Sequence, residues 1–319
     1  MLNTILAQVG NTPVIQLQLD CLHNMEVMAK LEFYNPTGSI KDRAAKYLIE
    51  KLISKREINH STVVIESSSG NFGIALSAYC KKYNIPFYCV IDPLITPINE
   101  MIIRSLSSKV FKVTERDENG GYLLNRIRTV NELVEAIPNS YWVNQYENPY
   151  NAEAYYATLG EEICRSHPDI DYLFVGVSSG GTITGLSKKI KEEIPSCKII
   201  AVDVEGSVVF GGKAKRRFIP GIGSSMRPRI LEQAHIDEIV YAEELVSVYE
   251  CRELLTRHHI FAGGSSGSVI AAVKKYFRFR TNVTPTKVMT LFCDRGDRYA
   301  STIYNDDWLR ESFPNSILS

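Results

Sequence analysis

In the stretch NPTGSIKDRAA, residues 35–45, a single lysine follows turn-forming residues and opens a helical pattern. Ala45, Leu48, Ile49 and Leu52 recur at the three- and four-residue spacing of a buried stripe, and four residues before Ala45 stands Lys41. A lysine at the head of an inward face loses hydration, so its pKa falls and some neutral amine becomes available to attack a carbonyl. A Schiff-base lysine needs this; the alternative is a stem laid along the surface with its ammonium in water. Ser-Ser-Gly then recurs three times, in IESSSGNFGIALSAY (65–79), VGVSSGGTITGLSKKI (175–190) and FAGGSSGSVIAAV (261–273), each time opening a helical pattern. A helix start preceded by small residues exposes unpaired N–H groups and a positive dipole end, to which hydroxyls add donors, so each is a candidate anion cradle. One alone could be an ordinary serine cap. Three together with an inward lysine suit one ligand carrying several anionic groups.

Those features need a frame, and the chain supplies an alternating one. The short apolar runs VVIE, FYCVID, KVFKV, YLFVGV, KIIAVDV and VMTLF read as buried strands, separated by helical patterns over 72–83, 99–107, 122–137, 182–194 and 245–257. Such alternation predicts an α/β protein with mostly parallel sheets. In AIPNSYWVNQYENP, residues 136–149, a helix stops at Pro138 and a long polar route leads to the next helix, which places a domain crossover near residue 142. A ligand with a phosphate, a phenolate and an aldehyde fits the three cradles and the lysine, and pyridoxal phosphate has all three: Lys41 for the aldehyde, a glycine-rich turn for the phosphate.

Bulk composition narrows the partners. A chain of 319 residues with 45% hydrophobic content can bury two cores, and 36 basic residues balance 36 acidic ones. No long basic run exists to neutralise phosphates of a nucleic acid or a membrane surface; KAKRRF (213–218) is short and reads as a solvated loop. The first residues lack a basic leader with an apolar stretch, and no run approaches the ~18 apolar residues of a membrane span, so a cytoplasmic small-molecule protein is expected. Cys21, Cys80, Cys89, Cys164, Cys197, Cys251 and Cys293 are odd in number and form no CxxC pair, which argues against a disulfide framework or a metal site. His258 and His259 are adjacent, cannot share a helix face, and mark a helix end.

The ordered stretches VGNTPVIQL (9–17), KLEFYNPTGSIKDRAA (30–45), SSSGNFGIAL (67–76), VSSGGTITG (177–185), GIG (221–223) and AGGSSG (262–267) resemble the fold-type II pyridoxal-phosphate enzymes, the cysteine synthase and cystathionine β-synthase superfamily. The resemblance runs from about residue 4 to about residue 304. It implies a tryptophan synthase β-like α/β fold of two domains, each a mostly parallel twisted sheet flanked by helices. Residues 36–142 would form the smaller domain, and 1–35 with 143–319 the larger. It makes Lys41 the Schiff-base lysine and Ser178, Ser179, Gly180, Gly181 and Thr182 the cofactor-phosphate loop. Asn71 would meet the phenolic oxygen, Ser68 and Ser69 the amino-acid carboxylate, and Ser265 the pyridine nitrogen. A hydroxyl there leaves that nitrogen essentially neutral and favours loss of a β-substituent over transamination. A homodimer is the family expectation.

Two departures argue against a plain cysteine synthase. Those enzymes carry M-S-x-E-R where this chain reads ITPINEMIIR (95–104), and a threonine where it has Phe72. The stretches DPLITPIN, NGGYLLNRI, WVNQY, GSVVFGG, IPGIGSS and CDRGDRY are similar to the branch that makes N-(2-amino-2-carboxyethyl)-L-glutamate from O-phosphoserine and glutamate, toward 2,3-diaminopropionate for siderophores or peptide antibiotics. That similarity implies a second phosphate site, with Arg126, Tyr146 and Ser178 as its donors; the alternative for Arg126 is a solvated helix arginine. A site for glutamate carboxylates is then needed, with Arg227 and Arg295 as candidates.

Other readings are weaker. GVSSG (176–180) and GGSSG (263–267) satisfy G-x-S-x-G, yet no histidine follows Ser265, and His235, His258 and His259 after Ser178 stand in no telling context. PGIGSS lacks the third glycine of a dinucleotide loop. A cysteine synthase, or a non-catalytic ligand-binding module of the same fold, remains as an alternative.

Overall fold

The computed structural model describes residues 4–20, 22, 24–118, 120–280 and 285–314; Cys21 and the first residue of NGGYLLNRI lie outside them. The chain opens with β1 (Val14–Leu17) and β2 (Met25–Leu31), an antiparallel pair, followed by α1 (Lys41–Ser54). Next come β3 (Val63–Ser67), α2 (Asn71–Lys82), β4 (Phe87–Ile91), α3 (Pro97–Leu106), β5 (Lys109–Lys112), α4 (Leu123–Ala136) and β6 (Ser140–Trp142). Three β/α repeats of this kind give the parallel four-stranded sheet β5-β4-β3-β6. The strand β6 occupies the polar stretch in which the sequence places a domain crossover. Its three half-buried residues are too few to show a period.

After β6 the chain forms α5 (Pro149–Tyr155), a π-helical turn over Tyr156–Gly160, α6 (Glu161–Ser166), β7 (Tyr172–Gly176), α7 (Gly181–Glu193) and β8 (Lys198–Val204). It closes with β9 (Glu238–Ala242), α8 (Glu244–His258), α9 (Gly264–Phe277), β10 (Thr286–Phe292) and α10 (Asp306–Ser312). The second sheet runs β1-β2-β10-β7-β8-β9, parallel except at β1. The last strand of the chain therefore lies between β2 and β7, and delivers Cys293 and Asp294 to the centre of the sheet's carboxyl edge. As the paired histidines predict, α8 stops at His258, and His259 takes a left-handed turn with φ 58°.

Alternate residues of each strand feed different cores, the period-two rule of a sheet covered on both faces. Val64, Cys89, Leu173 and Ile199 join a large core with Ala45, Leu48, Ile49 and Leu52 of α1 and with α2, α5 and α7. Their neighbours Phe174 and Ile200 pack with α8 and α9 on the far face, while Ile65 and Val90 meet Val130 of α4. The continuous core between the two sheets fixes their carboxyl edges side by side. Among the described residues no helix is long and apolar enough to cross a membrane.

Candidate active site

Lys41 is the first residue of α1, placed by a turn in which the Ile40 amide donates to the Cys293 carbonyl and Ser39 bridges Asp294. Behind it Ala44, Ala45, Leu48, Ile49 and Leu52 are fully buried, as their spacing predicts. The side chain keeps a partial opening to solvent but is closely surrounded by protein. Burial lowers its pKa, against a smaller opposing pull from Cys293 and Asp294. The amine is thus biased toward its neutral, nucleophilic form.

Asp294, which the sequence does not single out, joins most of the surrounding groups. Its Oδ2 accepts from Asn71 Nδ2 at 2.6 Å and from the Tyr299 hydroxyl at 2.6 Å, while Oδ1 is buried without a partner. Burial raises the pKa of this carboxyl. Its neighbour Cys293 lies beside Lys41 and Ser265, its thiol pushed up to about 12 by burial. Lys41, Asn71 and Ser265, far apart in sequence, thus converge on one dipeptide. The available signal was position: a polar residue directly after an apolar strand, at the edge where α/β sheets bind ligands.

The loop Ser178–Thr182 joins β7 to α7. Gly180 has φ +85°, open to glycine, and a side chain at Gly181 would reach within 2.5 Å of the Asn151 amide. Glycine is thus required at both positions, by backbone conformation at Gly180 and by close packing at Gly181, and the first amides of α7 are left without intrahelical partners, as at any helix start. Ser178 Oγ donates to the Gly223 carbonyl at 3.0 Å, and the buried Tyr155 hydroxyl lies against Thr182. A left-handed glycine, helix-start amides without intrahelical partners and a neutral-biased lysine whose amine makes no hydrogen bond among the described residues fit the phosphate and aldehyde of pyridoxal phosphate.

The loop after β3 serves two purposes. Ser68 Oγ accepts from the Gly73 amide at 2.9 Å and caps the start of α2. Ser69 Oγ donates to Asp92 Oδ2 at 2.9 Å and accepts from the Asp92 amide at 3.0 Å. Arg126 Nη1 joins them, 3.2 Å from both Ser69 Oγ and Asp92 Oδ2. Its side chain is only 12% exposed because it shares a helix face with Leu123 and Val130, three and four residues away, so it is not the solvated arginine of the alternative reading. Asn99 of ITPINEMIIR turns to the Ser69 carbonyl, and Phe72 packs into the core. Tyr146 is within electrostatic reach of Arg126, Glu66, Arg217 and Asp92, and burial raises its pKa. Glu66 is buried, its Oε1 accepting from the Ser67 amide and its Oε2 unpaired, and burial pushes its carboxyl up to about 8.

Of the two candidates for the glutamate carboxylates, Arg227 is exposed, and Arg295 is exposed beside Asp297. The KAKRRF stretch is a solvated loop only through Arg216, because Arg217 turns inward toward Tyr146.

Comparisons with known proteins agree with this geometry. A family model described as pyridoxal-phosphate dependent enzyme matches residues 5–294. The O-acetylserine dependent cystathionine β-synthase from Helicobacter pylori superposes with a TM-score of 0.88 at 32% identity, over 96% of this chain and 99% of that one. A hydrogen sulfide-producing enzyme from Fusobacterium nucleatum gives 0.86 at 27%, over 94% and 100%. O-ureido-L-serine synthase gives 0.86 at 25%, over 97% and 99%.

Proposed function

The chain belongs to the pyridoxal-phosphate dependent enzyme family, in its cystathionine β-synthase and cysteine synthase type, and from that premise we propose that it replaces the phosphate of O-phospho-L-serine with L-glutamate. The products are N-(2-amino-2-carboxyethyl)-L-glutamate, a precursor of L-2,3-diaminopropionate, and inorganic phosphate. Pyridoxal phosphate, when bound, supplies the electron sink that lets an α-proton and then a β-substituent leave. Lys41 would hold its aldehyde, Ser178–Thr182 its phosphate, Asn71 its phenolic oxygen and Ser265 its ring nitrogen.

The observation that carries the reading is the state of Arg126. Asp92 and Ser69 fix one guanidinium nitrogen, while Nε is buried with no partner, beside Tyr146 and the loop that starts α2. A fixed guanidinium with an unpaired buried donor, supported by the Tyr146 and Ser178 hydroxyls, suits charge that grows on a departing phosphate. Ser68, Ser69 and the amides after them would hold the substrate carboxylate at the start of α2. Lys41, as a neutral amine, would accept the α-proton; phosphate would leave with the electron pair of the C–O bond, the glutamate nitrogen would then form the new C–N bond and lose a proton, and Lys41 would return its proton to the α-carbon.

Mass spectrometry of products from O-phosphoserine and a panel of nucleophiles tests this directly. A glutamate adduct with stoichiometric phosphate is expected. The likeness to the Helicobacter pylori enzyme favours a second reading, a cysteine synthase using O-acetylserine or O-phosphoserine; far faster turnover of O-acetylserine with sulfide would establish it instead. The same preparation should absorb near ~410 nm, and Lys41→Ala should lose both that band and borohydride trapping.

A further inference from the structure

We infer that Arg217 is the carboxylate anchor for the incoming nucleophile, an acidic amino acid; the assignment rests on the reaction proposed above. Lys213, Ala214, Lys215 and Arg216 before it are exposed, but Arg217 reverses into the protein. Its Nη1 donates to the carbonyls of Gly206 at 2.9 Å and Ser224 at 3.0 Å, and its Nη2 to Ser225 Oγ at 3.1 Å. A guanidinium has five N–H donors, so Nε–H and one Nη2–H remain for a carboxylate.

Among the described residues no carboxylate lies within ion-pair distance of this cation. The acidic groups in its electrostatic reach are Asp203 and Glu244, with the Tyr146 phenol. Each carboxyl spends one oxygen on backbone amides: Asp203 Oδ1 accepts from Val204, and Glu244 Oε1 accepts from Phe218 at 2.7 Å and Ile219 at 2.8 Å, while Asp203 Oδ2 is buried without a hydrogen-bond partner and stays outside ion-pair distance of Arg217. A half-buried guanidinium whose hydrogen bonds all go to neutral acceptors, with acids near it but none in ion-pair contact, can still take an anion on its remaining donors. The surrounding loop is shaped to it. Gly206 and Gly223 both have positive φ, and a side chain at Gly223 would come within 3.3 Å of Arg217 Cδ. The Gly223 carbonyl also receives the Ser178 hydroxyl, so Arg217 borders the cofactor-phosphate loop.

Tyr146 thus stands in reach of two guanidinium groups, Arg126 from α4 and Arg217 from the loop after β8. One Arg is already braced by Asp92, beside the loop that would bind the amino-acid substrate. The other has no acid partner and faces the same phenol from the opposite sheet. A leaving phosphate and an arriving carboxylate are two anions that must be near one carbon in turn, and this pair gives each a separate fork.

Holoenzymes of Arg217→Gln and Arg217→Lys, with the ~410 nm band confirmed, are compared with wild type in three assays: phosphate release from O-phosphoserine without a nucleophile, turnover with L-glutamate, and turnover with sulfide. The expected result is a KM for glutamate raised at least tenfold in Arg217→Gln, partly recovered in Arg217→Lys, and a glutamate-to-sulfide ratio of kcat/KM lowered at least tenfold. An unchanged KM for glutamate, or an equal penalty with sulfide, overturns the assignment. So does a loss confined to phosphate release, which would place Arg217 on the leaving group. If wild type forms no adduct with glutamate at all, the proposed reaction falls first and this assignment with it.

Discussion

At the scale of single residues, the site gathers acids in unfavourable surroundings, and Glu66 is the clearest. Its side chain sits at the end of β3 with Oε2 unpaired, so burial raises its carboxyl to about 8, with the Ser67 amide, Gln145 and Arg126 pulling the other way. A folded-state pKa above the unfolded value of about 4.5 means that its stability contribution is complete below about pH 4.5 and lost as pH rises through about 8. Glu66→Gln keeps the shape and removes the titration. Thermal unfolding of the holoenzyme from pH 5 to pH 9 should show the variant gaining on wild type up to about pH 8 and then running parallel, by at most on the order of 3–5 kcal/mol. A difference independent of pH would show that Glu66 stays ionised in the fold. Legibility divides along the same line. Lys41 could be read because a stripe of four apolar residues points back to it, and Gly180 because a glycine-rich turn before a helix has few other uses. Asp294, Asp92 and Glu66 could not, since each is one acid at the end of an apolar strand and only the facing of two sheets makes it part of a site. Arg217 was hidden by the exposed cations preceding it.

At the scale of elements, strands and helices with strong periods were legible: β3, β4, β5, β7, β8 and β10, and α2, α3, α4, α7 and α8, stand where the pattern puts them. The four-residue β1, the three-residue β6 and the edge strand β9 gave no comparable signal because short or edge strands lack a continuous apolar run, and the central β2 gave none because Glu26 and Lys30 interrupt MEVMAKL. Nor does sequence show how closely elements approach. At Gly185 of α7 an added Cβ would lie 2.1 Å from the Ala152 carbonyl of α5 and 2.8 Å from the Tyr156 amide in the π-helical turn. That contact sets α5 so that Asn151 lies against Gly181 and Tyr155 against Thr182, at the phosphate loop. Gly185→Ala would gain about 1 kcal/mol of helix propensity, but the two helices must part. We expect a net loss of about 1–3 kcal/mol in thermal unfolding and weaker pyridoxal phosphate binding by titration of the apoenzyme. Unchanged affinity would mean that the loop is positioned independently of α5.

At the scale of the whole molecule, the segment bearing the lysine is tied down by a buried ionic network that spans the chain. Arg43, two residues after Lys41, meets Glu32 through Nε at 2.6 Å and Nη2 at 2.9 Å, and Glu162 through Nη1 at 2.7 Å and Nη2 at 2.8 Å. Lys30 of β2 also reaches Glu162 at 2.9 Å, Thr12 donates to Glu32, and the Asn11 amide donates to Glu162. The start of the chain, β2, the head of α1 and α6 are thereby held at one point. Removing one member leaves buried charge unmatched, whereas the intact network need not exceed an apolar packing of equal volume. Glu162 makes this measurable: Arg43 overcomes the cost of burial and holds its carboxyl at about 2. A depressed acid contributes fully above its unfolded value of about 4.5 and loses that contribution as pH falls through about 2. Glu162→Gln should therefore lower stability at pH 7 by about 1–3 kcal/mol, allowing for its partial contact with water. Denaturant unfolding at a series of pH values should find wild type falling more steeply than the variant below pH 4.5, the two curves converging near pH 2. Parallel curves would mean that Glu162 titrates like a surface acid and that the head of α1 is held by Glu32 alone.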